Sequence, residues 1–339
     1  MRYCIAILLF LDLIAFKGVA QDDQKAMFVF YNVENLFDLV DDSLTADDEF
    51  TPEGDKRWTS KRYYDKIDRI ARTLSAVGEL EMPAIIGLCE VENEGVIYDL
   101  LEHRYFTSVD FRFLHRDSPD RRGIDVALVY NPQVFTPDTV DWIRIRFPFD
   151  PESATREILY ARGKIFHSDT LHIFINHWPS RWGGVEATKP KRAEVAFRLK
   201  SYTDSLLSVY TSPNMIIAGD LNDNPTDASV EDILGAGVKC KEEAFCLVNL
   251  MLDDFNNPHY GSLKYKADWE VYDQLIVSSP LLKEKGLRVL NGEGHIFHAP
   301  FLITEDKRYL GTKPFRTYAG PQYLDGYSDH LPVYLELVK

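Results

Sequence analysis

The chain has 339 residues, 45% of them hydrophobic and 13% aromatic, which is enough apolar material for a substantial core. Its formal charge is −15, so a broad basic surface for non-specific nucleic-acid binding is excluded, although a local basic site is not. No internal repeat, low-complexity run or linker divides it; at about 150 residues per domain its length suggests two, but large two-sheet folds often run past about 200 residues as one, and a single domain over residues 21–339 is expected.

Residues 1–20 read as a cleavable export signal. Arg2 supplies the positive start, an apolar run over 5–14 is interrupted only by Asp12, and Gly18-Val19-Ala20 offers small residues before Gln21. That run is too short to span a bilayer as a mature helix, and no other stretch approaches the length needed. An exported protein without stable membrane insertion is expected, periplasmic or secreted in a bacterial source. Cys89 sits in an apolar run as a buried thiol. Cys240 and Cys246 flank a short charged loop and can pair in an oxidising compartment, a pairing that spacing alone leaves open.

Residues 26–31 alternate into an apolar strand that ends in the polar Asn32. Residues 38–55 are acidic and rich in turn formers, an exposed loop. Thr59 or Ser60 then caps a helix whose Tyr64, Ile67, Ile70, Ala71, Leu74 and Val77 recur at helical spacing, with Lys61, Arg62, Lys66 and Arg69 on the other faces. Residues 84–89 form an apolar strand terminating in Glu90. A carboxylate at the end of a buried strand is costly to desolvate unless a cation meets it. A helix over 95–101 follows.

The middle third reads as a meander. Residues 111–114, 126–130, 142–147, 158–165 and 171–175 are short runs rich in β-branched and aromatic residues, separated by Gly, Pro, Asn and Asp. The last ends in Asn176-His177 ahead of a Pro/Gly-rich loop. A second long helix over 191–207 feeds the strand 215–219, after which Asp220 and Asn222 follow two apart. On an extended segment such residues point the same way, so a carboxylate is expected beside a carboxamide at the mouth of a sheet. Asp273 lies in the apolar stretch 269–278, and Asp329-His330 precede the closing strand 333–338.

Taken singly, each polar strand end has a plain alternative, an Asx-rich turn or a core histidine bonded to backbone. Taken together, Asn32, Glu90, His177, Asp220 with Asn222, Asp273, and Asp329 with His330 suit hydrolysis of a phosphate ester. That reaction needs charge neutralised on the non-bridging oxygens, a positioned water, and proton transfer, the last worth about 10² to 10⁴ in rate. Oxygen-rich ligands without a Cys/His cluster point to Mg²⁺ or Mn²⁺ rather than zinc.

The motifs Tyr31-Asn32-Val33-Glu34-Asn35, Cys89-Glu90-Val91, Asn176-His177, Gly219-Asp220-Leu221-Asn222, Tyr272-Asp273 and Ser328-Asp329-His330 resemble those of the endonuclease/exonuclease/phosphatase superfamily. That superfamily includes pancreatic-type deoxyribonucleases, abasic-site endonucleases, inositol polyphosphate 5-phosphatases and bacterial sphingomyelinases. The resemblance implies a four-layer α/β sandwich, two packed mixed sheets with helices on the outer faces. It implies Glu90 as the main ligand of a divalent metal, supported by Asn32 and Asp329, with Asp273 holding His330 in its charged form. It further implies Asp220 activating or orienting the attacking water, Asn222 holding a phosphate oxygen, and His177 donating a hydrogen bond to another. In deoxyribonuclease-like members a further carboxylate orients the first histidine, and Asp125 is the candidate here.

Rim candidates for specificity are Arg57-Trp58, Arg121-Arg122 and the 178–182 loop with Trp178, Arg181 and Trp182, since arginine forks onto phosphate oxygens and tryptophan stacks on a base or sugar. The expected activity is metal-dependent phosphodiester hydrolysis of nuclease type on a phosphate-ester substrate, with nucleic acid among the candidate partners. The alternatives are a phosphomonoesterase or lipid-headgroup hydrolase, which the acidic charge favours slightly, and a non-catalytic binding protein on the same fold. The oligomeric state is not legible in the sequence.

Overall fold

A computed structural model describes residues 24–79, 82–237 and 245–339. The export segment 1–20, and Cys240 of the pairing considered with Cys246, lie outside the described residues; Cys89 is a buried free thiol.

In the first sheet β1 (Lys25–Leu36) and β2 (Ile85–Val91) run parallel, joined by helix α1 (Ser60–Val77). Helix α2 (Glu94–Leu101) leads from β2 to the hairpin of β3 (Arg112–His115) and β4 (Asp125–Tyr130), and β4 lies antiparallel beside β2. The closing strand Val333–Val338 flanks β1 on the other side, antiparallel. The second sheet repeats this plan. A meander of β5 (Phe135–Ile143), β6 (Ile158–Ile165) and β7 (Asp169–His177) is followed by helix α3 (Val185–Leu207) and by β8 (Asn214–Asp220), parallel to β7. The strand Asp273–Ser278 then lies antiparallel beside β8. Both of these parallel pairs need a crossover, and in both it is a helix.

Alternation along the strands sets the layers. In β1, Phe28 and Phe30 face the second sheet, meeting Ile173, Ile175, Ile216 and Ala218 in the core between the sheets. Val29, Tyr31 and Val33 face the other way, onto Ile67, Ile70 and Leu74 of α1. In the second sheet Phe174, Met215 and Ile217 pack on Val195, Ala196 and Leu199 of α3. Helix, sheet, sheet, helix is the four-layer α/β sandwich expected.

Two boundaries and one helix face differ from the sequence reading. The strand placed at 142–147 is instead Phe135–Ile143, an edge strand in which Pro137 sits at a register shift, where no ladder donor is required. Helix α3 begins at Val185 rather than 191. Pro190 lies inside it, in its second turn and on the exposed side. In α1 the inward tyrosine is Tyr63, whereas Tyr64 is exposed, and Lys66 is buried rather than solvated, donating to Thr317 Oγ1 and the Tyr327 carbonyl.

Gly219 is required by the closeness of β7 and β8. A Cβ there would stand 2.4 Å from the Asn176 carbonyl oxygen and 2.5 Å from Asn176 Cβ, contacts that only a backbone shift relieves. Gly219→Ala is expected to destabilise the fold by roughly 1–3 kcal/mol, read as a lower denaturant midpoint. An unchanged midpoint would show that the two strands can part freely.

Candidate active site

The second sheet delivers three side chains in one row. Asp220 is paired in register with His177 on β7 and with Asp273 on the other side. Each lies two residues from an inward-facing apolar residue, Ile175, Ala218 and Leu275, so all three point between the sheets at their open end. From the first sheet Asn32 follows Phe28 and Phe30 onto the same inner face. Strict alternation would send Glu90 outward, because its neighbour Cys89 is inward. Instead the ladder shifts register between Cys89 and Val91, and Glu90 adopts φ 62°, a left-handed conformation rare for a non-glycine residue. This bulge swings its carboxylate into the site, where Oε1 lies 3.4 Å from Asn32 Nδ2 and Oε2 accepts the Asn35 N–H at 2.9 Å. The strain is held at a place where a carboxylate is aimed.

Asp220 is the hub. Its Oδ2 accepts from Asn32 Nδ2 at 3.0 Å and stands 3.7 Å from His177 Nε2 and 3.8 Å from His330 Nε2; its Oδ1 accepts the Asn222 N–H at 3.0 Å. Burial, only partly offset by His330, pushes the Asp220 carboxyl up to about 7. His330 is held by Asp273 through a 2.6 Å bond at Nδ1. Burial disfavours its charge, but the Asp273 and Asp220 carboxylates prevail and hold the imidazole well above its ordinary value, so it carries a proton at neutral pH. His177 is the opposite case. Burial, with Arg156 and Arg122 nearby, drives it well below its ordinary value and keeps it neutral. Its Nδ1 has no hydrogen-bond partner among the described residues, so the single ring proton belongs on Nε2, facing the carboxylates.

All eight residues predicted from sequence therefore meet at one sheet mouth, with three changes of detail. Asn222 is not on an extended segment. It takes φ 51° past the strand end, and its side chain donates to the Trp178 carbonyl at 3.0 Å while its own N–H caps Asp220. Asp125 makes no bond to His177; it accepts the Ser118 N–H and faces His115. His177 is held through its backbone instead. Arg156 donates to the carbonyls of His177 and Trp178 and is itself anchored by Asp120 at 2.8 Å. Among the rim candidates, Trp58 and Trp178 are buried, and Arg181 is tied to Asp223 and Asp227 and stacked on Tyr272. Trp182, 89% exposed, is a true rim residue.

Sequence reasoning missed the support behind Asp329. Arg316 bridges it, at 2.8 Å, to the buried Glu34, and Glu34 also accepts the Thr317 N–H. Glu34 belongs to a quoted motif but is assigned no role there; Arg316 lies in a stretch without periodicity. Burial and the Asp329 charge raise the Glu34 carboxyl, whereas Arg316 and His330 outweigh burial to lower that of Asp329.

A divalent cation fits this donor set. Glu90 has no partner at ion-pair distance among the described residues except the neutral His177, yet it shares Asn32 Nδ2 with Asp220. Glu90, adjacent to Asp220 and without a charged cationic partner of its own among the described residues, calls for a mobile one. Asp220, Asp273 and His330 also lie within 4.8 Å of one another and could hold an ion, although the 2.6 Å bond between His330 and Asp273 engages both of those side chains.

Comparison with known proteins agrees with this fold. A protein of the endonuclease/exonuclease/phosphatase family from Bacteroides thetaiotaomicron superposes with a TM-score of 0.57 at 16% identity, covering 93% of this chain and 98% of its own. A mannosyl-6-phosphatase of the same organism gives 0.55 at 16% identity, covering 93% and 100%. Truncated TDP2 from Caenorhabditis elegans gives 0.54 at 13% identity, covering 93% and 98%. At these identities the likeness is one of fold. No curated protein sequence matches. The model of the Endonuclease/Exonuclease/phosphatase family, a family of phosphoester hydrolases that generally use divalent metals, matches residues 27–339. With the match spanning nearly the whole chain, and with both sheets delivering their carboxylates and imidazoles to one mouth, this protein belongs to that family.

Proposed function

We propose that the protein is a divalent-metal-dependent phosphodiesterase of nuclease type, using Mg²⁺ or Mn²⁺. The observation that carries this reading is Asp220, a carboxylate set between a neutral and a cationic imidazole, with Glu90 beside it lacking a charged cationic partner among the described residues. Glu90, with Asn32 and Asp329, would hold the ion, which when bound neutralises charge on the phosphate oxygens as a Lewis acid. Asp220 orients the attacking water and accepts its proton. His177 donates from Nε2 to one non-bridging oxygen, and Asn222 offers its remaining amide hydrogen to another. His330, kept charged by Asp273, presents Nε2–H where negative charge develops. A pocket of about 560 Å³, lined by Arg122, Arg156, Lys191 and Trp182 among others, connects to the site through Arg156, which donates to the His177 carbonyl, and is the candidate place for the group esterified to the phosphate.

The net charge of −15 favours a second reading, hydrolysis of a small phosphomonoester or a lipid headgroup, because few distant phosphates of a long duplex could be neutralised. Turnover of a chromogenic phosphodiester is expected with Mg²⁺ or Mn²⁺ and should cease on chelation. Glu90→Gln should raise the metal concentration needed for half-maximal rate by at least about tenfold. Turnover that survives chelation contradicts the metal role. Plasmid DNA, RNA, a sugar phosphate and sphingomyelin assayed side by side separate the two readings.

A further inference from the structure

We propose a second cation site, separate from the one above, formed by His115, Asp117 and Asp125 and suited to a borderline divalent transition ion. His115 ends β3, Asp125 begins β4, and Asp117 lies in the connection between them. The His115 side chain is completely enclosed, yet neither ring nitrogen has a hydrogen-bond partner among the described residues. A buried imidazole left without partners is costly. Its Nε2 stands 3.4 Å from Asp125 Oδ2 and its Nδ1 4.0 Å from Asp117 Oδ1; only one ring nitrogen would bind the ion, and one ligand atom from each residue lies within 4.8 Å of the other two. An imidazolium merely paired with carboxylates would turn an N–H onto an oxygen at about 2.8 Å. Two ligands each about 2.1 Å from a common ion, at a tetrahedral angle, stand about 3.4 Å apart, which is the spacing of His115 and Asp125.

The donor set names the class of ion. One imidazole and two carboxylates suit Zn²⁺, Co²⁺ or Mn²⁺, whereas Mg²⁺ and Ca²⁺ prefer oxygen throughout. The 84% exposed Asp117 side chain can close on the ion from the solvent side. The site would fix the connection between β3 and β4. Asp125 already holds the Ser118 N–H at 2.9 Å, and two residues on Asp120 anchors Arg156, which holds the backbone of His177. An ion here is thus a brace for the first catalytic imidazole, acting through backbone rather than on substrate.

Co²⁺ uptake measured by equilibrium dialysis and by its visible absorption tests this, using Glu90→Gln as the background to weaken the other site. Glu90→Gln is expected to retain Co²⁺ with the absorption of a nitrogen-containing ligand set. Adding His115→Asn should weaken uptake by at least about tenfold and remove that absorption. Adding Asp117→Asn instead, an exposed change that leaves the fold intact, should weaken it similarly with an unchanged circular dichroism spectrum. Equal uptake in Glu90→Gln with and without Asp117→Asn would overturn the proposal and leave His115 an ion-pair partner only. The measurement requires no turnover, so it stands or falls apart from the phosphodiesterase reading.

Discussion

Asp220→Asn is expected to lower kcat on a chromogenic phosphodiester by about 10²–10⁴-fold while making the metal-free protein more stable at alkaline pH. Both effects come from one environment. Burial between Asn32, His177 and His330 lifts the carboxyl from its ordinary 3.8 to about 7, so the folded state resists the charge that accepting a water proton requires. A raised acid contributes stability below its unfolded value and loses it as pH rises through the folded value. The asparagine variant has no such loss. In chelator its melting temperature should therefore exceed that of wild type by a few degrees above pH ~7, with the gain shrinking as pH falls towards ~4. The amide can keep the Asn222 bond, although one of its atoms must face Asn32 as a donor, which trims the gain. Thermal melts at the two pH values and a kcat measurement check both halves. A variant within tenfold of wild-type activity would remove Asp220 from the reaction. Such an exchange of stability for function is the general pattern at active sites.

The second large effect is expected at His330. His330→Gln should lower kcat by about 10²–10⁴-fold and flatten the alkaline side of the pH profile. The imidazole is held charged well above its ordinary value by Asp273 and Asp220 despite burial. Wild-type kcat should accordingly fall as pH rises through that elevated value and the proton is lost, a limb glutamine cannot show. The single variant strands the fully buried Asp273 without its cation, a cost of about 3–5 kcal/mol when a buried pair is broken. His330→Gln with Asp273→Asn removes both charges and keeps the fold testable. If the double variant folds and retains both rate and alkaline limb, His330 has no part in the proton chemistry.

The fold was largely legible because both sheets obey alternation. Phe28 and Phe30 against Val29 and Tyr31, or Ile216 and Ala218 against Met215 and Ile217, declare two buried faces in the sequence itself. Where the reading failed, an exposed edge had relaxed the rule. Pro137 in β5 and Pro190 in α3 look like breakers, yet each sits where a missing donor costs little. Lys66 looks like a solvated helix face, but its amine reaches Thr317 and Tyr327 from the distant C-terminal segment.

The sequence by itself determined which residues meet. Side chains on the inner faces at one end of the sheets, Asn32, His177, Asp220 and Asp273, must converge once two sheets pack, because period-two alternation carries the inner face along each strand to that end. Only the tertiary structure decided what each can do. The bulge that turns Glu90 inward, the left-handed turn that puts Asn222 on Trp178, and the Arg316 bridge from Glu34 to Asp329 all depend on partners far away in the chain. So does the division of the two imidazoles into one neutral and one charged. The difference is set by which carboxylates and guanidinium groups lie within a few ångströms in a water-poor cleft, and no local pattern of residues encodes that distance.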